Sequence, residues 1–256
     1  MLPLWPESER LILGDKHLTL HSRGKTHSVA LPVERSGQVD FQALMTTLPT
    51  AFNKLAGHKL TISLSNSRVR YLVIPWRPHL YAHKDWLALA HNHFHEQFGG
   101  KAADWDIQIS LQGYQQAVLA IATERLLVEG LDKLAEANKW QLLSTEPAFV
   151  TLVNRFPRYW RGNSWLMMAE PERILLAESH NGVWLRISYM QTSPELVESH
   201  ALMLLEQARQ LSSHSHKLRL FLHRHGAVPK QTFTDALDVR VLSAEWLSER
   251  HAGGQL

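Results

Sequence analysis

Two stretches of this 256-residue chain carry the same order of elements, and that repetition limits the folds open to it more than any other feature. WLMMAEPERILLAESHNGVWLRISY (165–189) reads as three short apolar strands joined by two tight turns. RLILGDKHLTLHSRGKTHSVAL (10–31) reads as a cruder version, with strands at 10–13, 18–21 and 27–31 and turns at GD and RGK. In the first copy a helix follows over 41–55, with Asp40 as its cap and Phe41, Leu44, Met45, Leu48 and Phe52 on one face, bent or broken at Pro49. Strands at 59–64 and 70–74 flank SNSR. Over 81–98 the spacing turns helical, with Trp86, Leu87, Ala90, Phe94 and Phe98 on one side and Gly99 and Gly100 at the end. Strands at 106–111 and 117–122, a helix over 124–138 striped by Leu127, Leu131, Leu134 and Ala135, and a strand at 140–144 complete the first unit.

NRFPRYWRGN (154–163) is a polar and aromatic connector, and the pattern then restarts. Strands at 165–169, 174–179 and 183–189 precede a helix opened by Ser193, Pro194 and Glu195 and lined by Val197, Ala201, Leu204, Ala208 and Leu211. A strand at 217–223, a helix near 231–237 and a strand at 239–242 follow. Strand, strand, strand, helix, strand, helix, strand is thus written twice, with negligible identity between the copies. The expected division is a first half at 1–160 and a second at 161–256. Two such halves, each a mixed sheet with flanking helices, resemble the duplicated actin-like (ribonuclease H-like) architecture and predict an α/β fold of that kind; the competing reading is an unrelated α/β or α+β domain whose halves match by accident. Hairpins would make part of each sheet antiparallel, and crossover helices would make the rest parallel.

Hydrophobic content of 45% and charged content of 20% predict a packed core. The longest apolar runs, AVLAIA and WLMMA, fall far short of the roughly 20 residues that cross a bilayer. MLPLWPESER has no basic segment followed by an apolar one, so no secretory signal is read there. The absence of cysteine excludes disulfides and thiolate metal sites and makes the cytoplasm the expected compartment. A net charge of +3 does not by itself point to nucleic acid.

LTISLSNSRVRYLVIPW (60–76), DWLALAHNHFHEQFG (85–99), DWDIQIS (104–110) and LLSTEPAFVTLVNRF (142–156) together resemble a bacterial group of degenerate actin-like proteins. That group is similar to the type IV pilus assembly protein PilM and the cytoplasmic domain of the type II secretion protein GspL. The resemblance implies a non-catalytic cytoplasmic adaptor in a pilus or secretion assembly, peripheral at the inner membrane through a partner. Its implied partners are proteins: an inner-membrane assembly protein or its cytoplasmic tail, or an assembly ATPase. Unlike GspL, the sequence shows no membrane helix and no following periplasmic domain, so a separate membrane partner is expected, or the sequence is a truncated piece.

An actin-like ATPase needs a phosphate-binding hairpin in each half, with glycines that let backbone N–H groups approach the phosphates and an acid that handles the metal. LGDKHLT (13–19) offers Gly14 and Asp15 but no second glycine, and Asp15 reads first as a turn residue. AEPERIL (169–175) has no glycine, and Pro171 removes an N–H donor. GGKAAD (99–104) lacks the Walker spacing. No cofactor is therefore expected. The alternative is a nucleotide-binding actin-like protein with weak ATPase activity.

In HNHFHE, His91 and His95 are four apart on a helix and could share a metal ion beside Glu96, which would make a metal-dependent enzyme. The order is not H-E-x-x-H and no third ligand is fixed, His83 falling on the apolar side. HSHKLRLFLHRH (214–225) alternates Leu218, Leu220 and Leu222 with cations, which reads as a strand with one wet face rather than a nucleic-acid site. Trp86, Trp165 and Trp184 sit in patterned elements and are expected in the core. Trp76, Arg77, Tyr159, Trp160 and Arg161 lie in connectors, in residue types enriched at binding hot spots, and are the candidate partner surface. The competing reading is that these rings cover the core or stack on arginine.

Overall fold

In a computed structural model, the residues described are 9–22, 25–34, 38–47, 52, 55–170, 172–211, 219–224 and 238–242. The chain begins with β1 (Glu9–Leu13), β2 (His17–Ser22), β3 (Lys25–Ala30), α1 (Phe41–Thr47), β4 (Lys59–Leu64) and β5 (Val69–Ile74). Next come α2 (His83–Phe98), β6 (Trp105–Leu111), β7 (Val118–Glu124), α3 (Arg125–Ala137), β8 (Gln141–Pro147) and α4 (Ala148–Arg155). The remainder is β9 (Ser164–Ala169), β10 (Arg173–His180), β11 (Val183–Gln191), α5 (Val197–Leu211), β12 (Arg219–Arg224) and β13 (Asp238–Leu242).

The described residues gather into two compact units. One holds the chain up to Arg68 and Arg125–Thr151; the other holds Val69–Glu124 and the chain from Leu152 onward. The first unit contains a five-stranded sheet of order β3-β2-β1-β4-β8, in which β1, β4 and β8 are paired in parallel and β2 is paired antiparallel with both β1 and β3. The second contains a five-stranded sheet of order β11-β10-β9-β12-β13, with β9, β12 and β13 paired in parallel and β10 paired antiparallel with both β9 and β11. Each sheet therefore takes its strands in the order third, second, first, fourth, fifth. The duplication read from the order of elements is a duplication of topology.

Local chemistry explains each copy. Asp40 caps α1 by accepting the Ala43 N–H at 2.9 Å, as its position before Phe41 predicts. The Phe41 ring then packs over Gly130 of α3. A β-carbon there would fall 2.3 Å from the ring, so a larger residue would force the Phe41 ring to shift. In the second unit β9 is buried along its whole length, as a central strand covered on both faces must be. Its Trp165, Met167 and Ala169 join Ile174 and Leu176 of β10 under Ala201, Leu204, Leu205 and Ala208 of α5. The β10–β11 hairpin closes on Asn181 and Gly182 with φ of 51° and 84°, the paired left-handed turn that matches strand twist.

Residues 69–124 form a smaller motif in which β5, β7 and β6 make an antiparallel sheet. One face of it is covered by Trp86, Ala90 and Phe94 of α2. Within the second unit β5 lies beside β11.

Several expectations change. Leu211 is 66% exposed at the end of α5 rather than on its apolar face, and α5 starts at Val197, after a turn over residues 194–196. His83 is the exposed first residue of α2 instead of facing the core. The connector following the first copy starts later than predicted, because Ala148–Arg155 is helical. Pro49, Pro171 and the helix expected near 231–237 lie outside the described residues, as do residues 214–218 and 225 of the cationic strand; 219–224 form β12.

Candidate functional site

The β1–β2 hairpin is held closed from within its own unit. The Gly14 N–H donates to the His17 carbonyl at 2.9 Å, so it is spent on the turn. Arg68, from the short helical turn that follows β4, donates through Nη2 to the Asp15 carbonyl at 2.6 Å and through Nε to the Gly14 carbonyl at 3.3 Å. Its Nε also lies 3.5 Å from Asp15 Oδ1, and the Ser67 hydroxyl donates to that same oxygen. The hairpin thus offers carbonyls and a carboxylate to a guanidinium, where phosphate binding would require N–H groups turned to an anion. Asp15 acts as a turn residue fixed by Ser67 and Arg68. Arg68 and Ser67 were missed from sequence, although SNSR at the end of a parallel strand was visible.

The β9–β10 hairpin is locked differently. The Glu170 N–H donates to the Arg173 carbonyl at 2.9 Å, and both side chains are buried. The Arg173 guanidinium lies 4.9 Å over the Tyr189 ring and donates through Nη1 to the Val69 carbonyl at 3.4 Å. Beside them Tyr71 is buried in β5. Burial pushes its phenol well above the ordinary tyrosine range; the negative charge of Glu170 adds to this and Arg173 opposes it. The sign of the pH effect follows. An unfolded tyrosine ionises near pH 10, whereas the folded one keeps its proton to higher pH. The contribution is intact below about pH 10 and is lost as pH rises through the folded value, by up to about 1.4 kcal/mol per pH unit. Urea denaturation between pH 8 and 11 is expected to show this slope in the wild type and to show it reduced in Tyr71→Phe.

His91 and His95 are exposed on α2, and Glu96 pairs with His93 instead, Oε2 to Nδ1 at 3.2 Å. Among the described residues no three His, Asp or Glu side chains are grouped to hold a metal.

The connector residues lie in two places in the second unit. Trp76 is half-buried after β5, its ring 5.3 Å from Trp86 and 5.5 Å from Tyr114, and Arg77 is exposed. Tyr159 is half-buried against Phe156 at 5.6 Å, and Arg161 is exposed. Trp160 is 3% exposed, donates from Nε1 to the Val153 carbonyl at 3.1 Å and packs 5.6 Å from Trp184. Trp86, Trp165 and Trp184 are core residues, as their patterning predicts. Tyr81 and Tyr114, 82% and 77% exposed, were passed over in the sequence; Tyr114 sits in the QGYQ turn, where only its exposure distinguishes it.

The fold is the actin-like ATPase fold. No protein-family model matches the chain, and no curated protein matches it. Among solved structures, the cytoplasmic domain of EpsL, an inner-membrane component of the type II secretion system of Vibrio cholerae, superposes with a TM-score of 0.59 at 10% identity over 93% of this chain and 91% of that one. The PilM–PilN type IV pilus biogenesis complex gives 0.61 at 12% identity, over 94% and 90%. An actin-like ATPase-fold protein of unknown function from Bacteroides thetaiotaomicron gives 0.54 at 15% identity, over 92% and 90%. Among the described residues no helix is long and apolar enough to cross a membrane.

Proposed function

We propose that this protein is a non-catalytic adaptor in a type II secretion or type IV pilus-like assembly, positioned at the inner membrane by a protein partner. The observation that carries the reading is the commitment of both hairpins. Gly14 and Glu170 spend their N–H groups inside the turns, Arg68 occupies the carbonyls of one hairpin, and Arg173 is buried beside the other. A phosphate at either turn would have to compete with a carbonyl for the Gly14 or Glu170 N–H. The likeness to EpsL and to PilM supports the assembly role, since one is an inner-membrane secretion component and the other belongs to a pilus biogenesis complex. Binding of proteins, rather than turnover of a substrate, is the work left to such a fold.

Calorimetric titration of metal-stripped protein with Mg-ATP is expected to give no saturable heat up to millimolar ligand. Micromolar binding would overturn the reading in favour of a nucleotide-binding actin-like protein with weak ATPase activity.

A further inference from the structure

We infer that the aromatic and cationic face around Trp76, Tyr81 and Tyr114 recognises an acidic linear peptide segment that carries aromatic side chains. This rests on the adaptor reading and assigns the chemistry of the partner at that face.

The surface is built outward from the α2 core. Trp86 is buried, donates from Nε1 to the Leu80 carbonyl at 3.2 Å and supports the Trp76 ring. Tyr114 meets Trp76 edge-on, with an interplanar angle of 67°. Trp76 and Leu80 thus share one support, which brings Tyr81 to the same end of the motif as Tyr114. Two tyrosines about four-fifths exposed are an expensive way to decorate a surface that meets only water, and rings with few rotatable bonds make efficient contact area.

The Tyr114 loop is also held in place. The Gln112 amide donates from Nε2 to the Ala117 and Trp184 carbonyls, each at 3.0 Å, and its Oε1 accepts the Trp184 N–H at 2.7 Å. One side chain so mimics a strand neighbour and pins the β6–β7 loop to β11. Gln115 adopts a φ of 59°, a conformation that side-chain-bearing residues avoid unless their surroundings impose it. A ring presented by a fixed loop loses little freedom on binding.

Charge selects the occupant. Between Pro75 and Lys84 the chain carries Arg77, His79, His83 and Lys84, all exposed, and no acid. Asp85, the next acid, is half-buried in the first turn of α2, where it complements the helix dipole. A bilayer is the poorer match. Polybasic lipid-binding surfaces gather about four to eight Lys and Arg, and only Arg77 and Lys84 are permanently charged here. An acidic segment with its own rings would satisfy both the cations and the Trp76–Tyr114 pair.

The test uses the full chain and a random Glu–Tyr copolymer, with polyglutamate and phosphatidylglycerol vesicles as comparisons, read by fluorescence anisotropy or sedimentation. The copolymer is expected to bind more tightly than polyglutamate, and binding should weaken as salt rises. Tyr81→Ala/Tyr114→Ala and Arg77→Glu/Lys84→Glu should each weaken it about tenfold or more at unchanged melting temperature, because these side chains are exposed. Equal binding of polyglutamate, unchanged affinity of either double variant, or retention on vesicles in preference to the copolymer would overturn the inference. The adaptor reading is tested separately. Wild-type capture of a co-purifying membrane protein by both variants would overturn this site while leaving the adaptor role standing. Mg-ATP binding would overturn that role without touching the copolymer result.

Discussion

Arg173→Ala is expected to lower the unfolding free energy by about 1.5–3 kcal/mol, the range for losing a hydrogen bond made by a buried charged group. Arg173 is 5% exposed and Glu170 is 7% exposed on the same hairpin. Truncation removes the guanidinium from the Tyr189 face and from the Val69 carbonyl and empties a buried side-chain site. Arg173→Lys keeps the charge but loses the planar stack, so it should fall between wild type and alanine. Urea denaturation followed by tryptophan fluorescence measures the series. A loss under about 1 kcal/mol for the alanine variant would mean that the guanidinium contributes little to the fold beyond its packing. The hairpin would then be less firmly closed than its geometry implies, and its Glu170 N–H would be more open to a phosphate.

The two hairpins occupy equivalent places in duplicated sheets, yet different residues lock them. In the first, Arg68 arrives from the end of β4 and takes up two carbonyls. In the second, Arg173 comes from the hairpin itself and buries its charge against an aromatic ring. In both, one turn N–H, that of Gly14 or Glu170, is taken by a carbonyl of the same hairpin, and an arginine packs at the turn. Commitment of this kind is a tertiary property. Composition could show that glycine was missing from AEPERIL, but it could not show that Arg173 packs on Tyr189.

The same distinction separates what was legible from what was not. Alternation and turn residues located β1, β2, β9, β10 and β11 because a strand with a buried face writes its period into the sequence. Asp40 was readable as a cap because capping is local, and the α2 and α3 stripes were readable because burial of one helix face is periodic. Sheet membership is not local. Val69–Ile74 reads as a strand like any other, and nothing in its letters says that it pairs with Val118–Glu124 instead of joining β4. The helix Ala148–Arg155 hid behind Pro147, where a strand runs straight into a helix without a polar loop. At the candidate sites the residue types were visible and their exposure was not. Trp76 and Trp160 look alike in the sequence, both in connectors beside arginine. Neighbours distant in sequence separate them, Tyr114 beside one and Trp184 beside the other.

Trp160→Ala is expected to cost about 3–5 kcal/mol, the range for emptying a buried tryptophan site. The ring is 3% exposed and packs between Tyr159 at 6.2 Å and Trp184 at 5.6 Å, with its N–H satisfied by the Val153 carbonyl. Its own carbonyl accepts the Ser179 hydroxyl at 3.1 Å, and a β-carbon added at Gly182 would lie 3.5 Å from that oxygen. Truncation therefore opens a cavity and loosens the connector against β10 and β11. Trp160→Phe should cost less, because it keeps most of the volume and loses only the indole N–H bond. A lower denaturation midpoint at unchanged slope would identify the change as one of stability. It would also decide how partner capture is read: a Trp160→Ala variant that no longer captures a partner has first lost packing, so Arg161→Glu, at an exposed position, is the variant that reports recognition on this connector. If Trp160→Ala instead kept wild-type stability and lost capture, the indole would be contributing to recognition, and the connector would belong to the interface.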